Sequence, residues 1–140
     1  MLREKLFTLC IITNENRVLL QLRKKPPFAG KWNAPGGKVE VNEDLYQACI
    51  REVYEETGII LISPNLVSIV DFENTDVLTR IYVFHAEEYS GVPIQYSEEG
   101  KLEWFPINNL DKHKTDFAIG LDWLINLANK KTNKVIEMVF

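Results

Sequence analysis

The sequence contains little cysteine and no long hydrophobic run, and these two absences exclude several classes of protein. Its two cysteines, Cys10 and Cys49, are 39 positions apart. We therefore expect neither a disulfide scaffold nor a structural zinc site. The longest apolar runs, residues 6–12 and 81–84, are too short to cross a bilayer, and residues 1–5 do not have the pattern of a secretory signal. We expect a cytoplasmic protein that does not contact a membrane.

The composition is that of an ordinary globular chain. Hydrophobic residues make up 46% of the 140 residues and charged residues 26%, with 7 Gly and 6 Pro. These proportions exclude a disordered, collagen-like or coiled-coil chain. The length suits one hydrophobic core, and we predict a single domain over residues 1–140.

Charged residues are distributed unevenly around a formal net charge of −4. Residues 1–38 carry eight Lys or Arg and two acids, whereas residues 39–58 carry six acids and one Arg. A protein that binds duplex nucleic acid usually presents a basic field across a whole face, so stable nucleic-acid binding is not expected. A basic segment beside an acidic cluster suits a small anionic ligand with a metal ion between them.

Hydrophobic periodicity predicts a mixed β-sheet with a helix on each side. Short apolar or alternating runs bounded by turn residues are typical of strands. Residues 135–140 fit either a final strand or a tail. The predicted strands are 6–13, 18–23, 66–72, 79–86 and 101–105, with turns or loops at 14–16, 24–33 and 35–37.

Two segments have helical periodicity. The first helix is predicted over residues 43–57, with Asn42 as its N-cap and Gly58 just after its end. The second is predicted over residues 115–129, with Thr115 as its cap. Its core-facing stripe consists of Phe117, Leu121, Leu124, Ile125 and Ala128.

Three glutamates of the first predicted helix share one surface. Glu52, Glu55 and Glu56 fall within about 100° of each other around the helix axis, in its last turn and a half. Like charges repel, and negative charge near a helix C-terminus opposes the helix dipole, so a bound cation would relieve this arrangement. Oxygen ligands favour Mg²⁺ or Mn²⁺ over zinc, and Mg²⁺ usually accompanies substrate phosphates. The alternative interpretation of these residues is a solvated acidic face.

Residues 37–59 carry a motif with fixed spacing. Gly37 is followed after five residues by Glu43, and after seven more by the run Arg51-Glu52-Val53-Tyr54-Glu55-Glu56-Thr57-Gly58-Ile59. At every position this pattern resembles the Nudix box, the loop-helix-loop signature of the MutT-like hydrolases. The resemblance implies an α/β/α sandwich, in which a mixed, curved β-sheet lies between the box helix and a C-terminal helix.

The resemblance also implies an activity and a cofactor. Members of this family use a divalent cation to hydrolyse a nucleoside diphosphate linked to another group, with water attacking a phosphorus. Mg²⁺ is the implied ion, and Mn²⁺ is a possible substitute. Glu52 and Glu56 resemble the main carboxylate ligands, with Glu55 contributing directly or through water. The carbonyl oxygen of Gly37 completes the implied metal site.

Other residues resemble supporting parts of such a site. Arg51 and Glu43 resemble the pair whose salt bridge holds the catalytic helix in register. Glu98 and Glu99 lie in a loop before a predicted strand, where MutT-like enzymes often place a further metal-binding or general-base glutamate, and either is a candidate.

Two cations are candidates for binding phosphate. Arg23 ends a strand face that is otherwise poorly suited to a core, and Lys38 follows Gly37 directly. Each could reach a phosphate oxygen, and an ordinary surface cation is the alternative interpretation for both.

The residues before the box resemble the oxidised-purine branch of the family, in which a Trp-Asn pair such as Trp32-Asn33 precedes the turn. The amide of Asn33 offers both a donor and an acceptor to a purine edge. Asp116, at the start of the second predicted helix, loosely resembles an acidic purine reader of this branch, with a helix-start charge as the alternative interpretation. Phe28 and Phe72 are candidate stacking faces, with ordinary packing as the alternative. Ala34 replaces a glycine common in the branch, so we expect the turn before the box to sit differently.

The leading hypothesis is therefore a pyrophosphohydrolase that splits oxidised purine nucleoside triphosphates such as 8-oxo-dGTP into the monophosphate and pyrophosphate, which would clean the nucleotide pool. The same box would also serve a hydrolase of ADP-ribose, a nucleotide sugar or a dinucleoside polyphosphate, because it binds the diphosphate and not the group beyond it. The contrasting hypothesis is a nucleotide-binding module without turnover. The oligomeric state is left open between a monomer and a homodimer.

Overall fold

The centre of the sheet is strand β1 (Arg3–Asn14), which contains the most apolar run of the sequence. In a computed structural model that describes residues 3–26, 28–130 and 135–140, Cys10, Ile11 and Ile12 of this strand are fully buried. Burial of consecutive strand residues requires packing on both faces of the sheet. The predicted strand over residues 6–13 is thus confirmed and is longer than expected.

Both predicted helices are present, with different starting points. Helix α1 spans Leu45–Thr57 and helix α2 spans Leu121–Asn129, and a 3₁₀ helix covers Ile107–Asp116. The strands after β1 are β2 (Arg17–Arg23), β3 (Trp32–Asn33), β4 (Gly36–Lys38), β5 (Ile60–Ile62), β6 (Asn65–Glu73), β7 (Val77–Ala86), β8 (Glu88–Ser90), β9 (Tyr96–Ser97), β10 (Gly100–Pro106) and β11 (Ile136–Val139).

The main sheet is mixed, as predicted. Its strand order is β11-β6-β7-β1-β2-β10-β9, with β3 paired to β2 and β4 paired to β1. Strand β1 runs parallel to β7 and antiparallel to β4 and β2, while β11 runs parallel to β6. A separate antiparallel ribbon joins β5 to β8.

Each face of the sheet is covered by one helix. Helix α1 buries Cys49 and Val53 against one face, in a cluster that includes Phe84. Helix α2 buries Leu121 and Ile125 against the other face, in a second cluster. Full burial of an aliphatic side chain contributes about 1.5–3 kcal/mol, so these two contacts fix the helices to the sheet. The predicted helix-sheet-helix arrangement is confirmed.

The prediction of where α1 begins was wrong by two residues. The N-cap is Asp44, whose carboxylate accepts from the backbone N–H of Tyr46 and Gln47, and Asn42 instead adopts a positive φ of 63°. Glu43 therefore lies before the helix, and its side chain is available to Arg51. The helix ends as predicted at Gly58, which has φ of 80°.

The predicted helix over residues 115–129 is interrupted, and Thr115 does not cap it. Phe117 has extended backbone, and Gly120 has φ of 81° immediately before α2. The interruption arises because Phe117 forms a β-bridge with Trp32, and the N–H of Ala118 donates to the carbonyl of Trp32. Tertiary pairing therefore overrides the helical periodicity here, although the predicted apolar stripe still faces the core.

Three short segments also differ from the predicted loops or resolve an open alternative. Residues 32–33, predicted as loop, pair with β2, and residues 36–38, which overlap the turn predicted at 35–37, pair with β1. Edge pairing of this kind depends on a distant strand and has no local signal. Residues 136–139 form strand β11 beside β6.

The lengths and composition of the helices are also relevant to membrane insertion. Across the part of the chain that the structure describes, no helix combines the length and the apolar character that spanning a membrane requires.

We predict that Gly36→Ala destabilises the fold more than Gly120→Ala. A Cβ at Gly36 would lie 2.0 Å from the carbonyl oxygen of Thr8, so β4 would have to move away from β1. A Cβ at Gly120 would have open space around it, so alanine there is destabilised only by the positive φ of 81°. We expect Gly36→Ala to lower the free energy of unfolding by about 3 kcal/mol, against about 1–2 kcal/mol for Gly120→Ala. Urea denaturation would measure both, and equal losses would contradict the steric interpretation.

Candidate active site

Helix α1 carries acidic residues on the side that faces β4. The core contacts of Cys49 and Val53 set the rotation of the helix, so that Glu52 and Glu56 face the turn before and within β4. Glu56 is only 6% exposed, which is rare for a carboxylate.

Two glycines bring the backbone of β4 against these carboxylates. The N–H of Gly36 donates to Oε2 of Glu56 over 2.9 Å. A Cβ at Gly37 would lie 2.3 Å from Oε2 of Glu52, so a side chain there would require the Glu52 carboxylate to move. The hydroxyl of Thr8 lies 3.5 Å from the carbonyl oxygen of Gly37. Backbone and carboxylate oxygens are thus gathered in one place.

The electrostatics of this place are unfavourable without a cation. The pKa of Glu56 is raised to about 8, mainly by burial and also by the charges of Glu52 and Glu99, against the lowering effects of the Gly36 N–H and Arg23. Burial also raises the pKa of Glu52, against the lowering effect of Arg51. Strongly perturbed carboxylates at one location are typical of functional sites.

Arg51 connects α1 to the loop before it. Its guanidinium donates to both carboxylate oxygens of Glu43, over 2.8 and 2.9 Å, and to the carbonyl of Lys38 over 3.0 Å. It also donates to Glu52 over 2.9 Å and approaches Glu55 at 3.4 Å. The hydrogen bonds from Arg51 lower the pKa of Glu43 to about 2. Bidentate pairs of this kind fix orientation as well as charge.

Of the two loop glutamates, the structure brings Glu99 to the site. Glu99 and Arg23 both lie close enough to Glu56 for their charges to change its pKa, in opposite directions. Glu98 is exposed, and so is Lys38, whose carbonyl is held by Arg51. The loop of Glu99 therefore meets the end of β2 beside the box carboxylates.

The structure brings two of the candidate base-binding residues into one region. Asn33 and Asp116 are each adjacent in sequence to the β-bridge between Trp32 and Phe117. Lys31 strengthens this junction, because its ammonium donates to the carbonyl of Thr115. The Oδ1 atom of Asn33 accepts from the N–H of Ala34 over 2.9 Å. Asp116 is the last residue of the 3₁₀ helix and is exposed. The prediction that it lies at the start of the last helix was wrong.

The two candidate stacking residues lie elsewhere. Phe28 is 43% exposed and adopts φ of 66° in the loop after β2. Phe72 is in β6, on the far side of β1 from Asn33, and stacks on Phe140 with ring centroids 5.4 Å apart.

Sequence reasoning missed Gln21 and Ser97. Gln21 is 1% exposed and its amide nitrogen lies 3.4 Å from the hydroxyl of Ser97, in the loop that carries Glu99. The available signal was a glutamine in a strand whose neighbours are leucines, since a buried amide needs a partner.

A family model described as the NUDIX domain matches residues 5–124. The chain belongs to the Nudix family. The chain is therefore a hydrolase of a family that acts on small nucleotide substrates, and segment 37–59, carried by β4 and α1, lies within the matched residues.

Similar proteins agree with this membership. The Nudix hydrolase YvcI of Bacillus subtilis is 37% identical over 125 residues, covering 80% of this chain and 77% of that protein. A protein of Danio rerio named oxidized purine nucleoside triphosphate hydrolase is 36% identical, covering 79% of this chain and 71% of that protein. The crystal structure of a mutator MutT protein from Bacillus halodurans superposes with a TM-score of 0.79 at 29% identity, covering 97% of this chain and 90% of that one.

Nudix hydrolases generally need a divalent metal, and the Nudix box of this chain fits one. The donors are hard oxygens, and the cradle at Gly37 leaves no room for a side chain beside Glu52. In the described residues, no three Asp, Glu, His or Cys side chains are already grouped at metal-binding spacing, and Arg51 holds Glu52 and Glu55. A cation would offset the repulsion between Glu52 and Glu56 that raises the pKa of Glu56.

We predict that Glu43→Gln destabilises the protein at pH 6 and that this effect shrinks as the pH falls towards 2. The pKa of Glu43 is lowered from 4.5 to about 2 by Arg51, so the ionised group stabilises the folded state above about pH 4.5 and loses this effect as the pH falls through 2. Urea denaturation at several pH values would measure the difference from wild type. The exposed Glu15→Gln variant serves as the control, and a difference independent of pH would contradict the prediction.

Proposed function

We propose that this Nudix hydrolase is a Mg²⁺-dependent nucleoside triphosphate pyrophosphohydrolase that acts on oxidised purine nucleotides such as 8-oxo-dGTP. The observation that carries the proposal is the half-buried Glu52 and the buried Glu56 against Gly36-Gly37, with Arg23 and Glu99 beside them. The relative named oxidized purine nucleoside triphosphate hydrolase supports the substrate class. The proposed products are the nucleoside monophosphate and pyrophosphate, and the proposed role is cleaning the nucleotide pool.

The proposed metal-binding residues are those of the box. Glu52 and Glu56 provide carboxylate oxygens, Glu55 contributes directly or through water, and Gly37 provides its carbonyl. When bound, Mg²⁺, or Mn²⁺ in its place, neutralises the diphosphate and lowers the pKa of a water molecule. The Glu43–Arg51 pair holds α1 in register with the loop before it.

The residues around the carboxylates are assigned to phosphate binding and to proton transfer. Arg23 binds a phosphate oxygen and offsets the negative charge that develops there. The exposed Lys38 has the same proposed role. Glu99 acts as general base: its carboxylate accepts the proton of the attacking water, whose oxygen forms the new bond to phosphorus as the bond to the leaving phosphate oxygen breaks.

Recognition of the base is assigned to the region around the Trp32–Phe117 bridge. The Oδ1 atom of Asn33 accepts from the N–H of Ala34 with one lone pair, which leaves its second lone pair and its NH₂ group for a bidentate contact with a purine edge. Asp116, on the adjoining segment, accepts from the base. Phe28, in the loop that leads to β3, is the proposed stacking residue, whereas Phe72 stacks on Phe140 on the far side of β1.

The alternatives concern the group beyond the diphosphate. A hydrolase of ADP-ribose, a nucleotide sugar or a dinucleoside polyphosphate would use the same box and other contacts outside it. A binding module without turnover has no chemical need for the full set of box carboxylates, which Glu52, Glu55 and Glu56 complete.

We predict that 8-oxo-dGTP is the best substrate in a panel and that Asn33→Ala removes this preference. The panel contains 8-oxo-dGTP, dGTP, the other nucleoside triphosphates, ADP-ribose and a dinucleoside polyphosphate, each with Mg²⁺ and with a chelator, and release of pyrophosphate and phosphate is measured. Loss of a bidentate contact costs about 1–3 kcal/mol of discrimination, so the preference over dGTP should fall by about tenfold or more. Preference for ADP-ribose or a dinucleotide would retain the metal site and reject the roles of Phe28, Asn33 and Asp116.

We predict that Glu52→Gln lowers kcat by about 1,000-fold or more with the fold intact, because it removes a carboxylate that holds the metal. Thermal unfolding and circular dichroism would verify the fold. The exposed Glu88→Gln variant is the matched control and should keep wild-type turnover. Normal turnover by Glu52→Gln would reject the metal assignment.

A further inference from the structure

Gln21 is a buried polar side chain for which the proposed reaction has no role. It lies in β2 between two leucines and is 1% exposed. A buried amide is costly unless it forms hydrogen bonds. The amide nitrogen donates to the hydroxyl of Ser97 over 3.4 Å, and the two residues are 76 positions apart.

The hydroxyl of Ser97 has three partners. It accepts from Gln21, accepts from the backbone N–H of Glu99 over 3.2 Å, and donates to the carbonyl of Gly100 over 3.3 Å. A hydroxyl has one hydrogen to donate and two lone pairs, so these contacts use its full capacity. Ser97 therefore connects the buried end of Gln21 to the backbone on both sides of the Glu99 carbonyl.

The same loop is held against β2 by its backbone. The N–H of Lys24 donates to the carbonyl of Glu99 over 3.4 Å. A Cβ at Gly100 would lie 1.8 Å from the carbonyl oxygen of Leu22, so glycine is required for this approach. The backbone of Glu99 is thus anchored to the strand that ends in Arg23.

We propose that Gln21 and Ser97 are positioning residues that hold the carboxylate of Glu99 beside the box glutamates. This inference rests on the proposed function, in which Glu99 is the general base. A base must lie within hydrogen-bonding reach of the water it deprotonates, and a displacement of about 1 Å can cost up to about 100-fold in rate. Catalytic groups on loops are positioned less accurately than those on strands. The hydrogen bond from Gln21, in β2, to Ser97 therefore restrains this loop.

The first experiment compares kcat and KM of Ser97→Ala, Ser97→Thr and Ser90→Ala on the best nucleotide of the panel. Ser97→Ala should lower kcat by about tenfold with KM nearly unchanged, because the base is displaced while the substrate contacts remain. Ser97→Thr keeps the hydroxyl and should recover most of the loss. Ser90, at the exposed end of β8, is the matched control and should show no change. Wild-type kcat for Ser97→Ala would overturn the proposal.

A double-mutant cycle then separates positioning from general stability. In a Glu99→Gln background, Ser97→Ala and Gln21→Met should each lower kcat by less than about twofold, because the base they position is already absent. Full, additive losses in that background would show that Ser97 and Gln21 act on the fold as a whole and would overturn the proposal. If Glu99→Gln alone keeps wild-type kcat, the assignment of the base is wrong and the inference fails with it.

A third measurement does not depend on turnover. Because the Glu99 N–H donates to Ser97, its hydrogen exchange should become about fivefold faster or more in Ser97→Ala, while an amide in the core of β1 stays unchanged. Unchanged exchange at Glu99 would overturn the positioning role even if every prediction of the proposed function holds. Faster exchange together with wild-type kcat in Ser97→Ala would show that Ser97 orders the backbone of Glu99 without positioning its carboxylate, and would also overturn the proposal.

Discussion

The close approach of β4 to both β1 and α1 is the constraint on which the rest of the site depends. A Cβ at Gly36 would lie 2.0 Å from the backbone of Thr8, and one at Gly37 would lie 2.3 Å from the carboxylate of Glu52. Because side chains are excluded there, the backbone of β4 itself faces the carboxylates. The strand pairs with β1 on one side and supplies an N–H to Glu56 on the other.

This arrangement brings negatively charged side chains together in a partly buried place, which is unfavourable for the stability of the fold. Glu56 is buried beside the charges of Glu52 and Glu99, and burial is the largest cause of its raised pKa. The cost is tolerated because the adjoining residues Cys49 and Val53 of α1 pack into the core. Functional sites are commonly less stable than their surroundings for this reason. Arg51 supplies part of the compensation and fixes the loop before the helix at the same time.

The short strand β3 relates the two halves of the proposed nucleotide site. It pairs with β2, which ends in Arg23, and through Trp32 it contacts Phe117 beside Asp116. The proposed phosphate side and base side therefore share one small element, whereas the box lies on β4 and α1. This separation gives a physical reason why one Nudix box can serve different substrates: changes around residues 28–33 and 116 leave the carboxylate geometry untouched.

The sequence by itself determined the family, the mixed sheet and the core stripe of the second helix, because a motif with fixed local spacing and regular hydrophobic periods can be recognised without the fold. The sequence did not distinguish Glu98 from Glu99 as the candidate base, and it misplaced the N-terminal caps of both helices. Only the tertiary structure decided that Asp44 and not Asn42 caps α1, that the Trp32 bridge interrupts the segment before α2, and that Ser97 and Lys24 hold the backbone of Glu99. Each of the last two depends on contacts between residues more than 70 positions apart, and such contacts exist only once the sheet has formed.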